Sequence, residues 1–235
     1  MHKEIDKIKK LEGSPKIIKN LFNKVEINKF MNLYNKLPTT VHNKKQNVIK
    51  KRWLKNIDLE LENLFYTKVK NEIGDFKMDN LKDEKNEDIL GLFQESYNPI
   101  GLHVDAGFNT EEIIYKQTLI PLSSKGSTVI FKNKFYGSST NFTTDEQELK
   151  KTDLKYGQNM RSSEHLQLFK NKPFNQEEYE KYLKHEKIEN LSGLEIDIVY
   201  EWEIGSILIF DRTRLHCASS KIDGKKIGLT TFTKK

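Results

Sequence analysis

Two histidines and an aspartate are the residues of this chain best suited to chemistry. Gly101-Leu102-His103-Val104-Asp105 sets an imidazole and a carboxylate two residues apart, and in an extended segment such residues project to one face. Alone, a His-x-acid match is weak: with six His and 34 acidic residues, roughly one is expected by chance. A second cluster adds weight, because Ser206-Ile207-Leu208-Ile209-Phe210-Asp211-Arg212-Thr213-Arg214-Leu215-His216 carries an apolar strand to another histidine. Two His and one carboxylate on one side of a metal form the facial triad of non-haem Fe(II) sites, which leaves positions open for a bidentate cosubstrate and dioxygen. The single cysteine, Cys217, excludes an internal disulfide and a thiolate-rich zinc site, so a metal here must be held by His and carboxylate.

A cation follows the distal histidine. Lys221-Ile222-Asp223-Gly224-Lys225 reads as a hairpin, and its loop length decides which lysine shares the face of His216. A two-residue Asp-Gly turn selects Lys225; a three-residue loop with Gly224 in the left-handed position selects Lys226, with Gly228 and Thr230 on the same face. The second register suits a cosubstrate such as 2-oxoglutarate, whose 5-carboxylate needs a fixed cation and a hydroxyl donor. Lys226 with Thr230 is therefore preferred, and Gly228 would leave room for the methylene chain.

These side chains need a frame. From about Ser14 to Asn71 the pattern predicts helices: Ser14-Pro15 as a cap with Ile17, Ile18, Leu21 and Phe22 on one face; a second helix with Phe30, Leu33, Tyr34 and Leu37, stopped by Pro38; and a third with Ile57, Leu61, Phe65 and Val69, stopped by Gly74. After Asp88 the period shifts toward two, predicting strands at Ile113 to Leu122, Ser127 to Phe131, Ile196 to Trp202, Ser206 to Phe210 and Ile227 to Thr233. Helices followed by strands predict an α+β, mainly β fold, a sandwich or barrel with N-terminal helices packed outside, in one domain: a helical part over 1–88 and a core over 89–235. Between Phe135 and Leu194 lies a polar insertion, including Thr143-Thr144-Asp145 and a short helix from Gln176 to about Lys187 capped by Asn175. Long insertions of this kind cover or bind ligands, so it is a candidate substrate lid.

From about Phe93 to Thr233 the sequence resembles the 2-oxoglutarate/Fe(II) dioxygenases of the prolyl 4-hydroxylase-like and phytanoyl-CoA hydroxylase-like kind. The likeness rests on His103-x-Asp105, Lys116 to Ser123, Gly126 to Phe131, Ile204-Gly205-Ser206 leading to Phe210-Asp211 and His216, and Lys226 ten residues later. It implies a double-stranded β-helix (jelly roll, cupin-like barrel), with His103, Asp105 and His216 on Fe(II) and Lys226 on 2-oxoglutarate. It also implies use of O2 to hydroxylate an unactivated C–H bond, with succinate and CO2 as co-products. In that family the cosubstrate cation is usually Arg; Lys makes a point contact in place of a bidentate fork. The alternative function is a cupin-like metal-binding protein that does not use 2-oxoglutarate.

Gln94, Tyr97 and Gln117 come from segments that flank the pocket in relatives, where they would touch cosubstrate (Gln117) or substrate (Gln94 and Tyr97), or simply pack. Arg212 and Arg214 alternate with His216 and would reach the pocket mouth to meet an anionic small-molecule or peptide side-chain substrate, or would form structural ion pairs. His2, His42, His165 and His185 read as solvent-facing, and Cys217, Trp53 and Trp202 as core. The formal charge of +6 comes almost wholly from Lys, with only four Arg among 40 basic residues, spread along the chain without aromatic clustering. That disfavours nucleic acid as a partner. No apolar run approaches the roughly 18 residues that span a bilayer, and none of signal length opens the sequence, which predicts a cytoplasmic enzyme.

Overall fold

The computed structural model describes residues 3–43, 47–79, 81–82, 85–105, 112–136, 161 and 166–235. Two helices arise where the apolar spacing places them. Helix α2 (Lys24–Lys36) opens on a capping box: the Asn23 side chain accepts from the Glu26 backbone at 3.0 Å and the Glu26 carboxylate accepts from the Asn23 backbone at 2.8 Å. It buries Ile27, Phe30, Leu33 and Tyr34, and ends just ahead of Pro38, which disfavours helical geometry in the residue before it. Helix α3 (Leu59–Ile73) is capped by Asp58, buries Leu61, Phe65 and Val69, and closes on Gly74 at φ 73°.

The strands form two antiparallel sheets among the described residues. The larger sheet runs in the order β1 (Lys16–Ile18), β10 (Ile207–Asp211), β7 (Ile114–Pro121), β12 (Lys226–Lys234), β6 (Asp88–Ser96), β3 (Val48–Leu54) and β2 (Val41–Asn43). Short β4 (Lys77–Met78) extends β12, and β5 (Leu81–Lys82) pairs with β6. The smaller sheet is β11 (Arg214–Ala218), β8 (Ser127–Lys134) and β9 (Ile196–Glu201). All five strand expectations are met within a few residues.

The N-terminal part differs from the helical expectation. Helix α1 lies at Ile5–Leu11, ahead of Ser14-Pro15, and Lys16–Ile18 is an edge strand paired with Ile207–Ile209. The β-branched pair Ile17-Ile18 suits a strand, but the partner that decides it lies about 190 residues away, beyond the reach of a local pattern. Strand β3, within the span read as helical, likewise exists by pairing along the whole of β6. The expected hairpin around Gly224 is absent too: β11 and β12 belong to different sheets, so residues 219–225 cross between them.

The alternation of strand residues sorts the larger sheet into two faces. Outward go Trp53, Phe93, Ile120, Ile207, Ile209, Ile227 and Leu229, packed against Phe22, Phe30, Leu61 and Phe65 of the helical layer. Inward, toward the smaller sheet, go Leu119, Leu208 and Phe210, meeting Ile130, Tyr200 and Trp202. Of the insertion, residues 135–136, 161 and 166–194 are described, and Thr143 to Asp145 lie outside them. Asn175 caps a short helix α4 (Gln176–Glu178) by accepting from the Glu178 backbone at 2.9 Å, and a π-helical turn continues it over Tyr179–Leu183.

Candidate metal centre

His216 stands in the middle of β11, and His103 pairs with it as an isolated antiparallel bridge, with backbone hydrogen bonds of 2.9 Å in both directions. Asp105 follows two residues on. The three side chains converge: each offers a ligand atom, and these atoms lie within 4.8 Å of one another. Asp105 Oδ2 is 3.2 Å from His216 Nε2 and 3.8 Å from His103 Nε2. His103 Nδ1 lies 2.7 Å from the Gly101 carbonyl and His216 Nδ1 lies 3.1 Å from the Arg214 carbonyl. A carbonyl only accepts, so both Nδ1 atoms carry the proton and both Nε2 lone pairs face the centre, the tautomer a metal requires.

The electrostatics agree. Burial, then repulsion from His216, pushes the His103 imidazole down to about 4, which keeps it neutral and ready to ligate. Burial would raise the Asp105 carboxyl, but the two imidazoles beside it and the hydrogen bond from Gln117 outweigh that and hold the group well below the usual carboxylate range. Gln117, on the inward face of β7, donates from Nε2 to Asp105 Oδ2 at 2.7 Å. Gln117 therefore braces the carboxylate of the converging trio, and its Oε1 is buried with no hydrogen-bond partner among the described residues.

Lys226 begins β12 and is 4% exposed. Its Nζ donates to the Ser127 carbonyl at 3.1 Å and lies 4.0 Å from the centre of the Trp202 ring. It has no carboxylate partner within 4 Å among the described residues, and burial pushes its ammonium down to about 7. Lys225 is half exposed, near Glu95. Register puts Thr230, Gly228 and Gln94 on the inward face with Lys226, since Lys226 opposes Ser96, Gly228 opposes Gln94 and Thr230 opposes Leu92. The space at Gly228 is not free for a ligand chain: a Cβ there would come within 2.7 Å of the Trp202 indole. Trp202 is fixed by its Nε1, which donates to Thr128 Oγ1 at 2.9 Å.

Three sequence expectations are corrected. Arg212 is fully buried; it pairs with Asp79, stacks on Phe232 and donates from Nε to the Asp105 carbonyl at 3.0 Å, so it supports the ligand loop from behind. Arg214 pairs with Asp197 and donates to the carbonyls of Phe131 and Gly13, each at 3.1 Å. A break in the β11 register between Arg214 and His216 removes the simple alternation that would have aimed Arg214 at the pocket mouth. Tyr97 donates to Glu95 at 2.6 Å, a carboxylate that also accepts from Tyr34 of the helical layer, so its hydroxyl is turned away from the inward face.

His185, expected in solvent, has a side chain only 14% exposed and within 3.1 Å of Ser220 Oγ. The neighbouring Glu186 carboxylate accepts from the Leu102 backbone at 2.6 Å. The described part of the insertion is thus tied to both segments that carry the histidines. Nothing in a polar helix read alone distinguishes that role from a solvated surface.

No protein-family model matches the sequence, and a search of curated proteins finds no match. Solved structures do match over nearly the whole chain. A 2OG-Fe(II) oxygenase family oxidoreductase from Burkholderia pseudomallei aligns with a TM-score of 0.52 at 12% identity, over 98% of this chain and 89% of that one. HygX from Streptomyces hygroscopicus, with nickel and 2-oxoglutarate bound, aligns at 0.52 and 12%, over 100% and 87%. The non-heme alpha ketoglutarate dependent epimerase SnoN from nogalamycin biosynthesis aligns at 0.50 and 8%, over 98% and 84%. At these identities the likeness concerns the fold, and the chain shares the fold of these structures.

Proposed function

We propose that the chain is an Fe(II)- and 2-oxoglutarate-dependent oxygenase, built on a double-stranded β-helix, that hydroxylates a C–H bond of a small or side-chain substrate. In this reading His103, Asp105 and His216 hold the iron. Lys226 holds the 5-carboxylate of 2-oxoglutarate, with Thr230 at hand on the same face. Iron with 2-oxoglutarate and O2 supplies the oxidising power, and succinate and CO2 leave as co-products. The protein's own residues fix the ligand atoms, through the two Nδ1 hydrogen bonds and Gln117, and Phe210, meeting the His216 ring edge-on, keeps that side of the site apolar.

One observation carries the reading beyond metal binding. A buried ammonium without a counter-ion is costly, and Lys226 is such a group on the inward face of the larger sheet, so an anion that belongs there relieves the cost. A site that held metal without an anionic cosubstrate would gain nothing from that lysine. The helical turn bearing His185 and Glu186 closes over the strand ends as a fixed part of the insertion, the part we assign to covering the pocket.

Anaerobic titration with Fe(II) and 2-oxoglutarate tests this. Wild type is expected to develop the weak visible metal-to-ligand charge-transfer band, His103→Ala to lose it, and Lys226→Ala to need about 10- to 100-fold more 2-oxoglutarate, the worth of a charge-assisted contact. An iron-loaded, folded wild type with no band would leave a metal-binding protein that does not use 2-oxoglutarate.

A further inference from the structure

With Arg212 and Arg214 committed to structural pairs, the site lacks the cations assigned to substrate from sequence, yet another stands on the inward face. Lys50 lies on β3, which pairs along β6 in a register that sets Lys50 opposite Gln94, while Gln94 in turn opposes Gly228 of β12. Lys50, Gln94 and Gly228 therefore form one row across the sheet, beside the row that begins at Lys226 and Ser96. Its neighbours on the strand, Ile49 and Lys51, go the other way: Lys51 donates to the Tyr34 carbonyl at 2.7 Å in the helical layer. Arg52 shares the inward face with Lys50, opposite Leu92.

Lys50 is half-buried and takes part in no ion pair or side-chain hydrogen bond among the described residues. Charge balance then points to its use. Under the oxygenase reading, on which this inference rests, a divalent iron and Lys226 offset Asp105 and a dianionic cosubstrate. Lys50 remains as a half-buried positive charge with no partner among the described residues. A neutral or cationic substrate would leave it so.

We propose that the primary substrate is a small anion whose carboxylate or phosphate group is held by Lys50. The anchor lies on the edge-strand side of the larger sheet, with Gln94 as a neighbouring polar contact. Strand β3, which lies inside the span that patterning read as helical, thereby becomes part of the substrate-binding wall.

The test uses cobalt(II)-loaded protein saturated with 2-oxoglutarate. Carbon-13 acetate and methylphosphonate serve as minimal probes, read by paramagnetic relaxation of their ¹³C and ³¹P signals. A saturable relaxation enhancement is expected in wild type and in the surface control Lys132→Gln. In Lys50→Gln it should weaken about tenfold or more, with 2-oxoglutarate affinity unchanged. Preference for acetate assigns a carboxylate substrate, and preference for methylphosphonate a phosphate. Absence of saturable enhancement in wild type, or equal enhancement in Lys50→Gln, overturns the proposal. So does a matching loss of 2-oxoglutarate affinity in Lys50→Gln, which would make Lys50 a cosubstrate anchor. Failure of wild type to bind 2-oxoglutarate at all is a separate result, and rejects the oxygenase reading itself.

Discussion

The two faces of the larger sheet are made by the same strands yet have opposite characters. On the outward face Trp53 meets Phe30 and Phe65 edge-on, at ring-centre distances of 5.9 and 5.8 Å, and the surroundings are apolar. On the inward face the same strands present Lys50, Gln94, Gln117, Lys226 and Thr230. Strand β12 alternates between the two, with Ile227 and Leu229 buried outward and Lys226, Gly228 and Thr230 turned inward. One face supplies the hydrophobic stabilisation that lets the other hold unpaired polar and charged groups, which on their own lower stability. Stability and chemistry are separated by one residue of register, so a slip of one would exchange them.

That separation can be broken from either side. The largest effect is expected from Trp53→Ala, which empties the outward cluster and should cost about 3–5 kcal/mol in urea unfolding while cobalt(II) affinity per folded molecule stays near wild type. A loss of metal binding in the folded variant would show that the faces are not independent. Next, Gln117→Leu, on the inward face, should weaken cobalt(II) binding by about 10- to 100-fold, as removal of a ligand's supporting hydrogen bond typically does, with little change in the unfolding midpoint. Equal metal affinity would demote Gln117 to packing.

A smaller effect is carried by pH. Burial pushes Lys226 down to about 7, so as pH rises through 7 the protein loses the ammonium that we propose holds 2-oxoglutarate. Affinity of the cobalt(II) protein for 2-oxoglutarate should fall above pH 7, by up to about tenfold per unit, and the slope should vanish in Lys226→Met; a pH-independent wild type would contradict the assignment. Smallest is Glu186→Gln. Burial raises the Glu186 carboxyl to about 7 from an ordinary 4.5, so the folded state binds the extra proton between those values and wild-type stability falls as pH rises across them. The melting temperature of Glu186→Gln relative to wild type should climb over that window, by roughly 2–4 °C per kcal/mol recovered, and level off above it. A flat difference would place Glu186 in contact with water.

Much of the site is legible from local pattern, for reasons the residues make plain. His103 and Asp105 sit two apart and His216 ends an apolar strand, so type and spacing nominate them, whereas the preference for Lys226 over Lys225 rests on a hairpin register that the fold does not contain. Helices α2 and α3 are equally readable, because a capping residue, a four-residue apolar step and a Pro or Gly stop are all local. Arg212, Arg214 and Tyr97 mislead because a side chain's partner is not a local property: Asp79, Asp197 and Glu95 are acids among 34, and only packing selects them.

What the sequence determined by itself is the donor set, the absence of competing thiolates and the period of each core strand. Tertiary structure decided which strands meet. It set Lys16–Ile18 on β10 and β3 on β6, sent residues 219–225 across the sheets where a turn signal predicted a hairpin, and packed Trp202 over Gly228 beside Lys226. Pairing between distant strands is fixed by burial on both faces at once. That is why Lys50, unremarkable in a basic stretch, gains its place on the inward face only when the sheet is assembled.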